Sequence, residues 1–260
     1  MVTVICNGTL FKGIKAVFLD KDGTLANVST YLKRLGIRQA QLIENKIPGT
    51  YSLVLKALGI SSDGVIFPAG LMAVGSRQET IMGTATAAAM QGCAWGQAVE
   101  LATTALATAD RQYVQKAPHT PLLPGALDFL QWLRHTGLKI SMVSADGQAN
   151  LEDFVAHYQL QTYFDHLQGT SLSHPSKTAP SFLQAACDAI GVAPHEGLVI
   201  GDAITDLQVA ESAGGFIGFL GGWQPPLLPD TIALPEMLAK LTIKAVFATE
   251  LSQIQLAPDG

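Results

Sequence analysis

Two aspartates directly follow a short apolar run in residues 17–25, VFLDKDGTL. The run lacks polar–apolar alternation, which is typical of a strand covered on both faces in a parallel sheet. Asp20 and Asp22 are two positions apart, and the period of an extended chain directs both side chains towards the same side. Gly23 then permits a sharp exit from the strand. Because parallel sheets bind ligands beyond the carboxyl ends of their strands, we expect these two carboxylates at a binding edge.

The rest of the chain repeats this pattern of short apolar runs separated by helix-like stretches. Apolar runs span residues 14–19, 139–144, 198–201 and 216–219, with a weaker one at 244–247. Helix-like stretches lie at residues 125–135, 151–158, 181–189 and 207–213. Strands that alternate with helices predict an α/β fold with a doubly wound, Rossmann-like parallel sheet.

Residues 26–118 interrupt this alternation, since they contain few strand signals and long helix-compatible stretches. These stretches cover residues 28–35, 51–58 and 79–115, and glycines at positions 83, 92 and 96 interrupt the last one. We therefore expect two domains. Residues 1–25 and 119–260 form a Rossmann-like core, and residues 26–118 form an inserted α-helical domain.

Composition limits the classes of protein that fit this chain. Hydrophobic residues make up 48% of the 260 residues, and the formal net charge is −5. A chain this apolar can bury a core, which excludes a disordered protein, and its negative charge gives no support for nucleic-acid binding. The 3 cysteines are odd in number and widely separated, which argues against a disulfide framework or a zinc site.

The sequence also carries expectations about location. The N-terminus has no basic stretch followed by a long apolar run, so we expect no signal peptide. Residues 84–109 are apolar enough to resemble a membrane span, but they are rich in Ala and Thr and contain Gln91, Gln97 and Glu100. We therefore predict that residues 84–109 form a soluble helical region. We expect the protein to be cytoplasmic, to be a monomer or a homodimer, and to bind no membrane.

A second acidic pair follows the apolar run at 198–201, in the sequence GDAITD of residues 201–206. Asp202 comes directly after the predicted strand, and Asp206 follows one helical turn later. Asp202 could instead cap a helix, because Asp is a favoured N-cap residue. Together with Asp20 and Asp22, however, the pair gives four carboxylates at two strand ends, which favours a site for a hard cation. A calcium-binding loop at the first motif is disfavoured, since the residues that follow supply no further acidic ligands.

A hydroxyl ends the third apolar run, in the sequence VSADG of residues 143–147. Backbone N–H groups that follow Ser144 and Ala145 and lead into a helix can bind a phosphate group. The alternative is that Ser144 serves only as the N-cap of the following helix.

The order of these motifs resembles the haloacid dehalogenase superfamily of phosphotransferases, in particular its phosphoglycolate phosphatase-like members with a helical cap. The resemblance rests on DxDGT at residues 20–24, on Ser144, on Lys177 and on GDxxxD at residues 201–206. It implies that Asp20 is the nucleophile and Asp22 the general acid/base. It also implies that Lys177 neutralises charge, that phosphate is bound by Thr24, Ser144 and Ala145, and that Mg²⁺ is held by Asp20, Asp22, Asp202 and Asp206.

Two positions depart from the usual pattern of this family. Lys177 is followed by Thr-Ala-Pro rather than directly by proline, and Asp146 stands where asparagine is more usual. Neither change removes a catalytic group. We therefore expect a magnesium-dependent phosphatase that hydrolyses a small phosphomonoester through an aspartyl-phosphate intermediate. The alternatives are a sugar phosphomutase with the same core and a catalytically silent binding or regulatory protein.

Arg77 is the candidate residue for substrate choice. It lies in the sequence GSRQE of residues 75–79 and shares with Glu79 the only charges between residues 66 and 99. The alternative is that this stretch is a helix N-terminus, capped by Ser76 with Glu79 at the third helical position. For Trp223, in contrast, we expect only a packing role.

Overall fold

The computed structural model describes residues 2–112, 115–170, 176–224, 226–232, 235–239 and 241–257. It divides into two compact units. We call the first, residues 1–27 with 120–260, the core unit, and the second, residues 28–119, the inserted unit.

All strands in the described part of the chain belong to the core unit. In chain order they are β1 (Val2–Cys6), β2 (Thr9–Ile14), β3 (Ala16–Leu19), β4 (Lys139–Gly147), β5 (His166–Thr170), β6 (Gly197–Gly201), β7 (Gly215–Phe219), β8 (Ala245–Ala248) and β9 (Ile254–Leu256). The inserted unit contains the helices α1 (Ser29–Glu44), α2 (Tyr51–Leu58), α3 (Leu71–Val74), α4 (Arg77–Met90) and α5 (Trp95–Gln112). The helices of the core unit are α6 (Ala126–His135), α7 (Gln148–His157), α8 (Pro180–Ile190), α9 (Ile204–Ala210), α10 (Pro229–Ile232) and α11 (Pro235–Leu238).

A six-stranded parallel sheet forms the centre of the core unit. Its strand order is β5-β4-β3-β6-β7-β8, so the chain runs outwards from β3 through β4 and β5 and then continues on the other side of β3. Helices α6 to α9 pack against these strands. The predicted α/β fold with a doubly wound parallel sheet and an inserted helical domain is therefore confirmed.

The register of the central sheet brings the ends of β3 and β6 together beside β4. Leu19, the last residue of β3, is level with Met142 in β4 and with Ile200 in β6. Both β3 and β6 are buried along their whole length, which explains why their sequences are uninterrupted apolar runs. The residues that follow Leu19 and Ile200 thus lie side by side at the topological switch point, where sheets of this kind bind ligands.

A second sheet, antiparallel and ordered β2-β1-β9, lies outside the predicted elements. β1 and β2 form a hairpin whose turn, Asn7-Gly8, has φ values of 46° and 80°. Asn-Gly between two short apolar stretches is a strong hairpin signal, and it is the feature of the sequence that indicates this sheet. The prediction of one strand over residues 14–19 is wrong, because Ile14 is the last residue of β2 and β3 begins at Ala16.

The inserted unit is a set of helices with an interior of small side chains. α4 and α5 pack together, and the chain breaks between them near Gly92, whose φ is 86°. The predicted helix over residues 79–115 is therefore two helices, and its residues 113–114 lie outside the described part of the chain. Among the described residues of these two helices, five alanines are fully buried: Ala85, Ala88, Ala98, Ala102 and Ala109.

Within the described ranges, no helix combines the length and the apolar character that crossing a membrane requires. Cys6, Cys93 and Cys187 are all free thiols, and Cys6 and Cys187 are buried.

The small-residue interior of the inserted unit yields a stability prediction. Ala102 is fully buried in α5, whereas Thr104, two residues later in the same helix, is exposed. We expect Ala102→Leu to lower the free energy of unfolding by about 1–3 kcal/mol, because a close-packed interior has no room for the longer side chain. The matched variant Thr104→Leu should change it by less than about 0.5 kcal/mol. Urea unfolding followed by circular dichroism measures both, and equal effects would contradict close packing of this interior.

Candidate active site

Three buried carboxylates meet at the edge of the central sheet. Asp20, Asp202 and Asp206 each offer a carboxylate oxygen, and these oxygens all lie within 4.8 Å of one another. Asp20 follows β3, and its backbone N–H donates to the carbonyl oxygen of Ile200 at 2.9 Å. Asp202 follows β6, and Asp206 lies in the first turn of α9. The sheet register therefore brings together two acidic motifs that are about 180 residues apart in the sequence.

Lys177, the lysine singled out by the sequence, lies in the same cluster. Its ammonium forms an ion pair with Asp20 and lies 2.7 Å from Oδ1 of Asp206. The side chain of Lys177 is only 5% exposed. One positive charge thus faces three carboxylates.

Burial and crowding of like charge change the pKa values of this cluster. Burial raises the pKa of Asp20 to about 7 against the opposing effect of the Lys177 ammonium, and the Asp206 carboxylate adds to the rise. Burial also raises the pKa of Asp202 well above its usual range, and Asp20 and Asp206 contribute to this rise. For Lys177, burial disfavours the charge, but the two neighbouring carboxylates outweigh it and raise the pKa. The cluster therefore has excess negative charge that a cation would relieve.

The chemistry of the cluster fits a divalent metal ion. All three candidate ligands are carboxylates, and hard cations such as Mg²⁺ prefer oxygen ligands. Among the residues that the structure describes, the Lys177 ammonium leaves more negative than positive charge in this buried cluster. Asp20, Asp202 and Asp206 are therefore the residues that would hold the ion.

Asp22, the fourth predicted metal ligand, lies outside this cluster. Its carboxylate forms an ion pair with the ammonium of Lys21, and its side chain is 24% exposed, more than the three clustered aspartates. Coordination of a metal by Asp22 stays a prediction, and Lys21 is a participant that the sequence motifs do not indicate.

Asp202 is held by two side-chain donors. Trp223 donates from Nε1 to Oδ2 at 2.6 Å, and Thr24 donates from Oγ1 to Oδ1 at 3.3 Å. Trp223 therefore does more than pack, in contrast to the prediction. The alternative that Asp202 caps a helix is wrong, because the N-cap of α9 is Ala203. The contact that the structure shows for Thr24 is this one with a carboxylate. Phosphate binding by Thr24 stays a prediction.

Two glycines allow these groups to approach so closely. Gly23 has φ of 83°, and a Cβ atom there would lie 2.2 Å from Oδ2 of Asp202. A Cβ atom on Gly222 would lie 1.6 Å from the carbonyl oxygen of Gly23. Any larger residue at either position would push the loop that carries Trp223 away from the first motif.

The predicted phosphate-binding hydroxyl lies on the neighbouring strand β4. Ser144 is buried in β4, which continues to Gly147 rather than ending at residue 144. Its Oγ accepts a hydrogen bond from the backbone N–H of Asp146 at 3.2 Å, and the carbonyl oxygen of Ala145 accepts one from Thr170 at 2.7 Å. Ser144 is not a helix cap, because Gly147 is the N-cap of α7. Phosphate binding by Ser144 and Ala145 stays a prediction.

Arg77 occupies a structural position within the inserted unit. It is the first residue of α4, and Ser76 and Glu79 form the capping box of that helix. The alternative interpretation as a helix N-terminus is therefore confirmed. The Arg77 guanidinium forms an ion pair with Asp110 of α5. This pair does not test the predicted substrate contact, but it gives Arg77 a local partner.

The family model of the haloacid dehalogenase-like hydrolases matches residues 14–214, which include both acidic motifs, Ser144 and Lys177. A phosphoglycolate phosphatase from Pseudomonas putida is 27% identical over 114 residues, a segment that is 44% of this chain and 42% of that protein. The chain thus matches less than half of the length of this curated relative.

Solved structures resemble the chain over a larger part of its length. A protein described as a haloacid dehalogenase-like hydrolase from Bacteroides fragilis has a TM-score of 0.62 and 19% identity, and covers 92% of this chain and 99% of its own. A protein described as a β-phosphoglucomutase from Thermotoga maritima has a TM-score of 0.55 and 16% identity, with 92% and 96% covered. At such identities the likeness concerns the fold alone. With a family model that matches more than half of its residues, the chain belongs to the haloacid dehalogenase-like hydrolases.

Proposed function

We propose that this protein is a magnesium-dependent phosphatase that hydrolyses a small phosphomonoester through an aspartyl-phosphate on Asp20. The observation that carries the proposal is the buried cluster in which Lys177 contacts Asp20 and two further carboxylates lie within 4.8 Å. A carboxylate nucleophile, a fixed positive charge and a set of oxygen ligands are the parts that phosphoryl transfer requires. We further propose that the protein is cytoplasmic and a monomer or homodimer.

Each residue of the site has a task in this reaction. Asp20 attacks phosphorus, and the bond to the leaving oxygen breaks as the aspartyl-phosphate forms. Asp22 protonates that oxygen and then takes a proton from the water that hydrolyses the intermediate. Lys177 offsets the repulsion between the Asp20 carboxylate and the phosphate dianion. Bound Mg²⁺ would supply further positive charge towards the phosphate oxygens. Ser144, Ala145 and Thr24 are proposed to bind the phosphate.

The decisive experiment measures free phosphate released from a panel of phosphorylated metabolites, with and without Mg²⁺. The first compound is 2-phosphoglycolate, because curated relatives are named phosphoglycolate phosphatases. A phosphatase releases phosphate in each turnover. A sugar phosphomutase would need catalytic bisphosphate and release none, and a silent protein would leave even a generic aryl phosphate intact. Within this panel, Arg77→Ala tests the proposed substrate contact, since a changed preference among the compounds, rather than a uniform small loss, would support it.

The nucleophile itself can be tested by an isosteric change. We expect Asp20→Asn to lower kcat by at least about a thousandfold, because an amide oxygen cannot form the aspartyl-phosphate. Beryllofluoride, which mimics an acyl phosphate, should bind the wild type in the presence of Mg²⁺ and fail to bind the variant. Equal binding of beryllofluoride to both proteins would rule out Asp20 as the nucleophile.

The affinity for Mg²⁺ tests the proposed role of Asp202 as a metal ligand and of Trp223 as the donor that orients it. We expect Asp202→Asn to raise the dissociation constant for Mg²⁺ by more than about tenfold, because the site loses a charged ligand. Trp223→Phe should raise it by about three- to tenfold, since it removes only the hydrogen bond that orients the ligand. The matched control is Trp132→Phe, because Trp132 stacks on Phe129 instead. Titration calorimetry measures all three, and an unchanged affinity in Asp202→Asn would refute its role as a ligand.

The raised pKa of Asp20 predicts a pH dependence of metal binding. Asp20 in the folded protein has a pKa of about 7, whereas the ordinary pKa of an aspartate carboxyl is 3.8, so the metal-free fold loses stability as the pH rises between these values. Below pH 7, Mg²⁺ must displace the proton of the Asp20 carboxyl in order to bind. Above pH 7, this carboxyl is already ionised. We therefore expect Mg²⁺ to raise the melting temperature more at pH 8 than at pH 6. Asp20→Asn should abolish most of this difference, and an equal shift at both pH values in the wild type would contradict the prediction.

A further inference from the structure

Lys21, between the two aspartates of the first motif, carries a buried positive charge. Its side chain is 1% exposed, and its ammonium pairs with Asp22 and lies 2.8 Å from Oδ2 of Asp146. The ammonium also lies 5.2 Å from the centre of the Phe154 ring, within the range of a cation–π contact. Two carboxylates and an aromatic ring therefore surround this charge and offset the loss of its hydration.

The backbone of Lys21 has a separate role in the turn after β3. Its carbonyl oxygen accepts hydrogen bonds from the N–H groups of Leu25 and Ala26 at 2.9 and 2.8 Å. The N–H of Gly23 donates to the carbonyl oxygen of Ala26 at 2.9 Å. None of these bonds involves the Lys21 side chain. A substitution at position 21 can therefore remove the ammonium and keep the hydrogen bonds of the turn.

Asp146 connects the ammonium to the end of the neighbouring strand. Its backbone N–H donates to Oγ of Ser144, and its carbonyl oxygen accepts from Thr170 at 3.3 Å. An asparagine at this position could not neutralise a buried ammonium, so the departure from the usual family residue matches the presence of Lys21. A continuous line of contacts runs from Asp22 through Lys21 and Asp146 to Ser144.

We propose that Lys21 is a positioning residue for Asp22: anchored by Asp146, its ammonium restrains the Asp22 carboxylate at the end of β3. This inference rests on the proposed function, because it takes Asp22 as the general acid/base. Asp22 gives a proton to the leaving oxygen while the bond from phosphorus to Asp20 forms, and takes one from water while that bond breaks. A restrained carboxylate keeps the distance for both proton transfers short.

The test compares Lys21→Met, Asp146→Asn and the double variant with the wild type. Methionine keeps an unbranched side chain against Phe154 and removes only the charge. We expect Lys21→Met to lower kcat about 30-fold with KM changed less than about threefold, because the substrate-binding groups stay in place. Asp146→Asn should lower kcat about fivefold alone but less than about twofold in the Lys21→Met background, because Asp146 acts through the ammonium.

The matched control is Lys15→Met, which removes an ammonium at the opposite end of β3. Lys15 is exposed and pairs with Glu196, so kcat should stay within about twofold of the wild-type value. A role of Lys21 in stability alone would lower the melting temperature of Lys21→Met and leave kcat of the folded enzyme unchanged. That result would overturn the inference, and so would equal effects of Asp146→Asn in both backgrounds.

Crystal structures of the variants supply a readout that does not depend on turnover. We expect the Asp22 carboxylate to be displaced in Lys21→Met, or in Asp146→Asn if Lys21→Met does not fold. A carboxylate in its wild-type position would overturn the inference. If it is displaced while the wild type releases no phosphate from any compound of the panel, Lys21 does position Asp22 and the proposed phosphatase function is what fails.

Discussion

Several carboxylates lie close together at one edge of the central sheet, and the rest of the site must offset the repulsion between them. Two buried lysines each pair with two of these carboxylates. Lys177 pairs with Asp20 and Asp206, and Lys21 pairs with Asp22 and Asp146. The first group also contains Asp202, so it retains more negative charge than the second. This difference supports the proposal that a cation is held by Asp20, Asp202 and Asp206.

The backbone must bring these charges together without steric conflict, and the glycines of both acidic motifs serve that purpose. At Gly201, a Cβ atom would lie 2.2 Å from Cγ of Asp206, so the glycine before Asp202 makes room for the second aspartate of its own motif. Asp206 in turn accepts the N–H of Ala203 at 2.9 Å and closes the first turn of α9. The sequence GDxxxD therefore specifies a local shape as well as two charges.

The sequence predicts those parts of the fold that depend on local pattern. Uninterrupted apolar runs identify β3, β6 and β7 because both faces of these strands are buried. The strand β5 has the sequence HLQGT, which lacks such a run, and it owes its place to its pairing with β4. Within the site, both acidic motifs and Lys177 could be found, because their types and order are distinctive.

Contacts between distant residues could not be found in the same way. Lys21 follows β3 and contacts Asp146 in the neighbouring strand β4, and Trp223 contacts Asp202 from the loop after β7. Neither pair leaves a local pattern in the sequence. Local rules even suggest the wrong role for Asp202 and Ser144, which are good N-cap residues by type. The chain continues past each of them before its helix begins, at Ala203 and Gly147.

The pairing of β1 with β9 has a consequence for biosynthesis. β1 finds its first partner, β2, within ten residues, but its other edge pairs with residues about 250 positions later, as in Val4 with Leu256. While the chain emerges from the ribosome, that edge stays open until residues 254–256 have been made. An open strand edge is a template for pairing with another chain, so nascent or proteolysed molecules that lack β9 expose an edge of β1 that β9 covers in the finished sheet.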